Sequence, residues 1–204
     1  FGDVIVGAPG YLTEQGRAYI YYGGSSMNSS ADVILTGASS NDDFGFSVSD
    51  AGDVNGDGYS DVIAGAHGYI AGTDHGSAYI YFGGASMNNT ADVTLTGSAA
   101  GDNFRYSVSS AGDVDGDGYS DVIVGAYGYN AATNQGRAYI YFGGASMDNG
   151  ADVVFTGATA GDYFGESVSG AGDMNGDGFD DVIVGAESYN SGQGRAYIYF
   201  GGAS

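Results

Sequence analysis

The chain of 204 residues can bury a hydrophobic core, and its 25 acidic residues against four basic ones give a formal net charge of −21. This charge argues against nucleic acid or an anionic lipid surface as a partner, because both are polyanions. The longest apolar runs, such as "VIVGA", are far too short for membrane insertion, and the absence of cysteine excludes a disulfide framework. The acids comprise 22 Asp and three Glu, a preference that indicates turns and oxygen-ligand loops.

A unit of about 60 residues repeats along the chain. The first unit is partial and enters at a second strand, "DVIVGA", before supplying a third and a fourth. Two complete units of four strands follow, and the last unit supplies strands one to three. The predicted units are 1–37, 44–97, 104–157 and 164–204.

The apolar segments have strand patterns. "GRAYIYFGG" alternates with the period of two that is typical of a strand with two distinct faces, and "DVIVGA" is continuously apolar, as in a strand buried on both faces. Nothing in the sequence has helical periodicity. The sequence therefore predicts an all-β fold, a β-propeller with about 3.5–4 four-stranded antiparallel blades in a single domain, residues 1–204, with incomplete end blades.

The incomplete ends leave three arrangements open. The chain could form four blades of which two are incomplete, neighbouring copies could complete it, or it could be an excerpt of a longer array. It begins at Phe1 without a visible signal peptide, which fits a mature or excised piece. Unpaired strand edges at both ends would favour association.

Three loops between the first and second strands follow the pattern D-x-[DN]-x-D-G-x-x-D. Side chains at positions 1, 3 and 5 can converge on one point, position 7 offers its backbone carbonyl, and position 9 completes the shell. Hard oxygen ligands without His or Cys favour Ca²⁺. The three predicted calcium sites are Asp53, Asn55, Asp57, Tyr59 and Asp61; Asp113, Asp115, Asp117, Tyr119 and Asp121; and Asp173, Asn175, Asp177, Phe179 and Asp181.

The acidic loops also fit a catalytic carboxylate pair, a flexible acidic linker, or an Asx-rich turn without metal. An EF-hand is excluded, because Ala64, Val124 and Val184 stand at position 12 instead of Glu and each loop runs directly into a strand. Three copies in one register favour the cation site over the metal-free turn.

The combined motifs resemble the FG-GAP repeats of integrin α-subunits. Phe44-Gly45 and Phe164-Gly165 match the Phe-Gly that opens a strand, and Gly7-Ala8-Pro9 matches the Gly-Ala-Pro that ends one. The resemblance implies a propeller of seven blades with Ca²⁺ between the first two strands of a blade. Arg105 replaces Gly in one copy, and the near-identical repeats resemble bacterial members more than animal receptors.

The face opposite the calcium loops carries a recurrent tyrosine, at Tyr11, Tyr69, Tyr129 and Tyr189. These rings could stack on sugars, but packing between blades is the preferred interpretation. Arg17, Arg137 and Arg195 share one repeat position and are interpreted as partners of neighbouring Asp or carbonyl groups. His67 and His75 lie in one variable loop without a Cys or a compelling Ser partner, so the sequence does not favour an enzyme.

The sequence thus favours a non-catalytic, extracellular, calcium-stabilised propeller for structure or adhesion. Its incomplete end blades could drive self-association into a ring or filament. The alternatives are a module that binds a glycan or protein ligand, and an accessory domain of a larger secreted enzyme.

Overall fold

A computed structural model describes residues 1–66, 75–98, 101–130 and 132–203, with the backbone alone at Arg105. The described residues form four antiparallel sheets, two of four strands and two of three, which confirms the predicted all-β fold with incomplete ends. The first sheet comprises β1 Val4–Ala8, β2 Arg17–Tyr21 and β3 Val33–Thr36, and the second β4 Val48–Gly52, β5 Asp61–Ala66, β6 Ser77–Tyr81 and β7 Val93–Thr96. The third comprises β8 Phe104–Gly112, β9 Asp121–Ala126, β10 Arg137–Tyr141 and β11 Val153–Thr156, and the fourth β12 Phe164–Gly172, β13 Asp181–Ala186 and β14 Arg195–Tyr199.

Two four-residue segments, α1 Tyr11–Glu14 and α2 Tyr189–Gly192, precede β2 and β14. Both contain residues with positive φ, such as Leu12 at 41° and Asn190 at 51°, so they are turns rather than true helical elements. Neither segment could cross a membrane, and no helix among the described residues is long and apolar enough to do so.

Strand order within each sheet follows the chain, as expected for successive hairpins. β9 pairs with β10 from Val122↔Tyr141 to Ala126↔Arg137, and the same register recurs in the other sheets. A register shift between Ser110 and Gly112 bends β8 just before its loop, and Gly112 has a φ of 78° there. A glycine suits this left-handed conformation, which side chains disfavour.

The core lies between successive sheets in three hydrophobic clusters. We call the contact between two successive sheets a junction. At each junction, Ala and Ile side chains of the first sheet pack against Tyr side chains, and against Val or Ala side chains, of the second sheet. A phenylalanine is buried at each junction and only 1% exposed: Phe44 just before β4, Phe104 at the start of β8 and Phe164 at the start of β12. Burying one such ring stabilises the fold by about 2 kcal/mol, so each junction contributes strongly to the stability.

Candidate functional site

The three acidic loops are built in the same way from backbone N–H groups and side-chain oxygens. In the first loop Asp53 Oδ1 accepts hydrogen bonds from the N–H of Gly56 at 2.7 Å and of Asp57 at 3.0 Å, and its Oδ2 accepts from Gly58 at 2.8 Å. The side chains at positions 3 and 5 each accept from the N–H two residues later. The loop therefore curls around the carboxylate at position 1, which gathers the oxygens of positions 1, 3 and 5 on its inner side.

The aspartate at position 9 is fully buried and ties two turns together. Asp61 Oδ2 accepts from Val54 N–H at 2.9 Å inside its own loop, and Asp61 Oδ1 accepts from Gly83 N–H at 2.7 Å after β6. Asp121 and Asp181 make the equivalent bonds in the third and fourth sheets. Position 9 therefore fixes the loop to the end of the third strand.

Burial raises the pKa of Asp61 to about 6 and that of Asp121 to about 7, although their backbone hydrogen bonds act in the opposite direction. Neighbouring loop carboxylates, such as Asp53 and Asp113, raise both values further. In contrast to these position-9 carboxyls, Asp173 at position 1 of the last loop has a lowered pKa. The cause is hydrogen bonds from backbone N–H groups, first that of Gly178. A cation in the loop would favour the charged form of all these groups.

The middle loop alone has a carboxylate at each of positions 1, 3 and 5. Carboxylate oxygens of Asp113, Asp115 and Asp117 lie within 4.8 Å of one another, a spacing that fits a shared metal ion. In the other two loops position 3 is Asn, and its amide donates to the position-5 carboxylate, as between Asn55 and Asp57 at 3.2 Å. The donor set of carboxylate, amide and carbonyl oxygens fits Ca²⁺ in all three loops.

Successive loops are also joined to each other. Ser120 Oγ accepts from Asp53 N–H at 3.2 Å, and Ser120 N–H donates to Asp53 O at 3.0 Å. Asp180, the equivalent residue of the last loop, makes the same two bonds with Asp113, at 2.9 Å each. Position 8 of each later loop therefore holds position 1 of the loop before it, a contact that the sequence pattern does not predict.

The opposite face contains three stacked Arg–Tyr pairs. The guanidinium carbons of Arg17, Arg137 and Arg195 lie 3.8, 3.5 and 3.7 Å from the ring centroids of Tyr11, Tyr129 and Tyr189. The interpretation of these arginines as partners of Asp or carbonyl groups missed this ring contact, because stacking depends on the path of the turn. Each guanidinium covers one face of a ring from the turn before its own strand, which stabilises that turn. Packing of the tyrosines between blades stays a prediction.

One of the two histidines, His75, lies among the described residues. His75 Nδ1 lies 3.2 Å from the carbonyl oxygen of Gly97, a contact that joins two turns of the second sheet. His67 and Tyr69 lie outside the described residues.

A pair of glutamates is a further feature that the repeat pattern does not reveal. Burial, followed by the charge of the neighbouring Glu187, raises the pKa of Glu166. The pair lines a cavity of about 320 Å³ with Tyr106 and Arg195. Strand pairing could have revealed it, because Phe164 pairs with Ala186 and this register brings both glutamates to one end of the fourth sheet.

Comparisons with known proteins agree with the repeat. The FG-GAP repeat model matches residues 44–81, 104–141 and 164–199, together more than half of the chain. Integrin alpha-5 of Xenopus laevis is 31% identical over 199 residues, which is 90% of this chain and 18% of that protein. Integrin alpha-IIb of Mus musculus is 33% identical over 138 residues, covering 62% and 13% of the two chains, and integrin alpha-6 of Homo sapiens is 33% identical over 150 residues, covering 71% and 12%. The chain thus spans less than a fifth of the length of these relatives, and its predicted bacterial origin stays a prediction.

Proposed function

Since the chain belongs to the FG-GAP repeat family, and its four sheets are accordingly β-propeller blades, we propose that it is a non-catalytic extracellular module for structure or adhesion that three Ca²⁺ ions stabilise. The relatives are integrin α-subunits, which supports an adhesion-type role outside the cell. The proposed blades are those of the repeat, residues 1–37, 44–97, 104–157 and 164–204, within one domain.

The observation that carries the proposal is the convergence of Asp113, Asp115 and Asp117 oxygens within 4.8 Å. The same backbone frame recurs in the first and last loops, which supports one ion in each. The residues that we propose as ligands are those at positions 1, 3, 5, 7 and 9 of the three loops, with position 7 acting through its carbonyl. The ion would neutralise crowded carboxylates and rigidify the connection between strands.

Removal of Ca²⁺ tests the proposal. Calorimetric melting should shift to lower temperature when a chelator is added, and titration calorimetry should count three ions per chain. Asp117→Asn keeps an oxygen that can accept from Tyr119 N–H but removes one charge, so it should weaken one of the three sites. The matched control is Asp148→Asn, an exposed turn aspartate outside the loops. A melting temperature that the chelator leaves unchanged would contradict the calcium sites.

We propose a non-enzymatic role because the clustered carboxylates of the loops are assigned to cations. Partners of such a module would be a protein or glycan ligand or another copy of the chain.

A glycan-binding role is the second candidate. A cavity of about 630 Å³ opens between two turns on the tyrosine face and is lined by polar and aromatic side chains that include Asp162, Tyr163, Tyr189 and Asn190. Such a lining is suited to a sugar. A glycan array with the wild-type chain and Tyr163→Ala would test it, and an array without any bound glycan would remove the candidate.

A role as accessory domain of a larger secreted enzyme is tested by the reading frame around the chain.

A further inference from the structure

Three Asn-Gly dipeptides occur in the chain, and two of them lie inside the acidic loops. Asn55-Gly56 and Asn175-Gly176 occupy positions 3 and 4 of the first and last loops, whereas Asn149-Gly150 lies in the connection between β10 and β11. An asparagine deamidates most readily before a glycine, because glycine has no Cβ to hinder attack of its amide nitrogen on the preceding side chain. The three dipeptides are therefore candidate sites of deamidation.

Deamidation is spontaneous and needs no oxidant or reductant. The backbone nitrogen of the glycine attacks Cγ of the asparagine, the bond from Cγ to Nδ2 breaks, and Nδ2 leaves as ammonia with the proton of the glycine N–H. Water then opens the resulting succinimide at either carbonyl carbon, which gives Asp or isoAsp. One water is gained, one ammonia is lost, and a neutral amide becomes a carboxylate that changes the local electrostatics.

The first loop holds all the reacting groups in hydrogen bonds. Gly56 N–H, which carries the attacking nitrogen, donates to Asp53 Oδ1 at 2.7 Å. Asn55 Oδ1 accepts from Asp57 N–H at 2.8 Å, and Asn55 Nδ2 donates to Asp57 Oδ2 at 3.2 Å. Closure of the succinimide ring has to break these bonds, so the folded frame opposes the reaction.

The last loop repeats this arrangement. Gly176 N–H donates to Asp173 Oδ1 at 2.7 Å. Asn175 Oδ1 accepts from Asp177 N–H at 2.9 Å, and Asn175 Nδ2 donates to Asp177 Oδ2 at 2.8 Å. The same frame therefore restrains both loop asparagines.

The middle loop already contains the Asp product at position 3. Asp115 Oδ1 accepts from Asp117 N–H at 3.1 Å, as the asparagines do in the other loops. An Asp product would therefore keep the loop frame and add one ligand charge, which favours Ca²⁺. An isoAsp product lengthens the main chain by one carbon and displaces the carboxylate, so it would disrupt the frame.

Asn149 lies in a different environment. Its side chain is exposed, and no hydrogen bond holds its amide among the described residues. Gly150 N–H donates to Asp148 Oδ1 at 2.7 Å, so only the attacking nitrogen is restrained. Asn149 therefore provides an internal reference within the same chain.

We propose that Asn55 and Asn175 are conditional deamidation sites, which the closed loop frame protects and which react when the frame opens, whereas Asn149 reacts in the folded protein as well. Loss of Ca²⁺ is the event that opens the frame. This calcium dependence rests on the calcium sites proposed above, and the protection by the frame does not. Deamidation would then record the loss of an ion irreversibly.

The binding equilibrium sets the size of the calcium effect. The reaction proceeds from the open loop, which does not bind the ion, so its rate is proportional to the open fraction. Ca²⁺ at about ten times its dissociation constant lowers that fraction, and with it the rate, about tenfold.

Peptide mapping by mass spectrometry tests the inference. The full chain is incubated at mildly alkaline pH in saturating Ca²⁺, in chelator and in denaturant. Deamidation is measured from the mass increase of each peptide. In Ca²⁺, Asn149 should react about tenfold or more faster than Asn55 and Asn175, and in chelator the two loop asparagines should accelerate about tenfold while Asn149 does not. In denaturant all three should react at similar rates, because all three are Asn-Gly.

Two reciprocal variants assign the protection to the loop frame. Asp53→Ala removes the acceptor of Gly56 N–H, so in Ca²⁺ it should accelerate Asn55 about tenfold, the effect expected from losing a hydrogen bond to a charged group. Asn175 in the same chain should keep its rate, which also shows that the rest of the protein stays folded. Asp173→Ala should accelerate Asn175 and not Asn55. Equal acceleration of both asparagines by either variant overturns the assignment.

Titration calorimetry on the same samples separates this inference from the proposed calcium sites. Bound Ca²⁺ together with equal rates of Asn55, Asn149 and Asn175 overturns the inference and upholds the sites. A chain that binds no Ca²⁺ contradicts the sites and the calcium dependence. In that case, loop asparagines that still react more slowly than Asn149 in the folded chain uphold the protection by the frame, and equal rates overturn it.

Discussion

The three loops share one backbone frame but differ in the side chain at position 3. Asp115 occupies position 3 of the middle loop, where Asn55 and Asn175 stand in the others, and it adds a third negative charge within 4.8 Å of Asp113 and Asp117. Like charges at about 4 Å repel by about 1 kcal/mol in water-like surroundings. The middle loop should therefore be the least stable without Ca²⁺ and the strongest ligand set with it.

Asp115→Asn tests this difference. In chelator it should raise the melting temperature by about 2–4 °C, the shift expected from about 1 kcal/mol in a chain of this size, because one repulsive charge is lost. With Ca²⁺ it should weaken the affinity of one site, as ligand charge sets the affinity of such loops. The reciprocal Asn55→Asp should change both quantities in the opposite directions. Scanning calorimetry in chelator measures the melting temperature, and titration calorimetry with Ca²⁺ measures the affinity. Changes of the same sign in both variants would contradict the role of the third carboxylate.

Glu166 introduces a pH dependence outside the loops. Burial, followed by the charge of Glu187, raises its pKa above the ordinary value of 4.5, and its Oε2 is buried without a hydrogen-bond partner among the described residues. A carboxyl whose pKa is higher in the folded state favours folding when it is protonated. Its stabilising contribution is complete below the ordinary value and is lost as the pH rises through the raised pKa.

Glu166→Gln should remove this dependence. At saturating Ca²⁺, the melting temperature of the variant should fall less than that of the wild type as the pH rises from the ordinary glutamate value to neutrality, and it should equal or exceed the wild-type value at neutral pH. Glu14→Gln, at an exposed turn position, serves as the control. Parallel pH profiles for wild type and Glu166→Gln would show that the pair does not titrate in this range.

The Arg–Tyr pair is the feature that stabilises the turn between the second and third strands of a sheet. Arg137 begins β10, Tyr129 lies in the turn before it, and Arg137 Nε also donates to Thr156 Oγ1 at 3.1 Å. Arg137→Met keeps the apolar stem of the side chain but removes the cation. It should cost about 0.5–1 kcal/mol in the free energy of unfolding.

A double-mutant cycle isolates this pair. Tyr129→Leu, Arg137→Met and the combined variant are unfolded in denaturant at saturating Ca²⁺, and the three losses are compared with the wild type. We expect the combined loss to be smaller than the sum of the single losses. Additive losses would mean that the stacked geometry does not stabilise the turn.

Strands and loops differ in how far the sequence predicts them. The strand set follows from local patterns, since alternation in "RAYIY" and the continuous apolar run in "DVIVG" each need only neighbouring residues. The loop frame is equally local, because Asp53 bonds to residues three to five positions later. The Arg137–Tyr129 stacking depends instead on a turn in which Asn130 and Asn134 have positive φ, and the Asp53–Ser120 contact joins residues of different sheets. Neither leaves a periodic signal in the sequence.

Burial of equivalent strands declines from the middle of the molecule toward its ends. All six residues of β9 are buried, whereas its equivalent β1 has no buried residue. Four of the five residues of β10 are buried, whereas its equivalent β14 has none. Strands that lack a covering sheet open at lower free energy than strands between two sheets. The molecule should therefore unfold from its end sheets inward.

Hydrogen exchange of the calcium-loaded protein checks this order. Amides of β9 and β10 should exchange most slowly, and those of β1 and β14 fastest, at concentrations at which the chain is monomeric. Equal protection of all four sheets in the monomer would contradict the proposed gradient.

The hydrogen bonds from position 8 of one loop to position 1 of the loop before it have a consequence for how the ions bind. Ser120 holds the backbone of Asp53, and Asp180 holds that of Asp113, so the first proposed ligand of one loop is fixed in place by the next loop. Ordering one loop should lower the entropic cost of ordering its neighbour, which makes binding of the three ions cooperative between nearest neighbours. The middle site, with neighbours on both sides, would then transmit occupancy from one end of the molecule to the other, and the binding isotherm would be steeper than that of three independent sites.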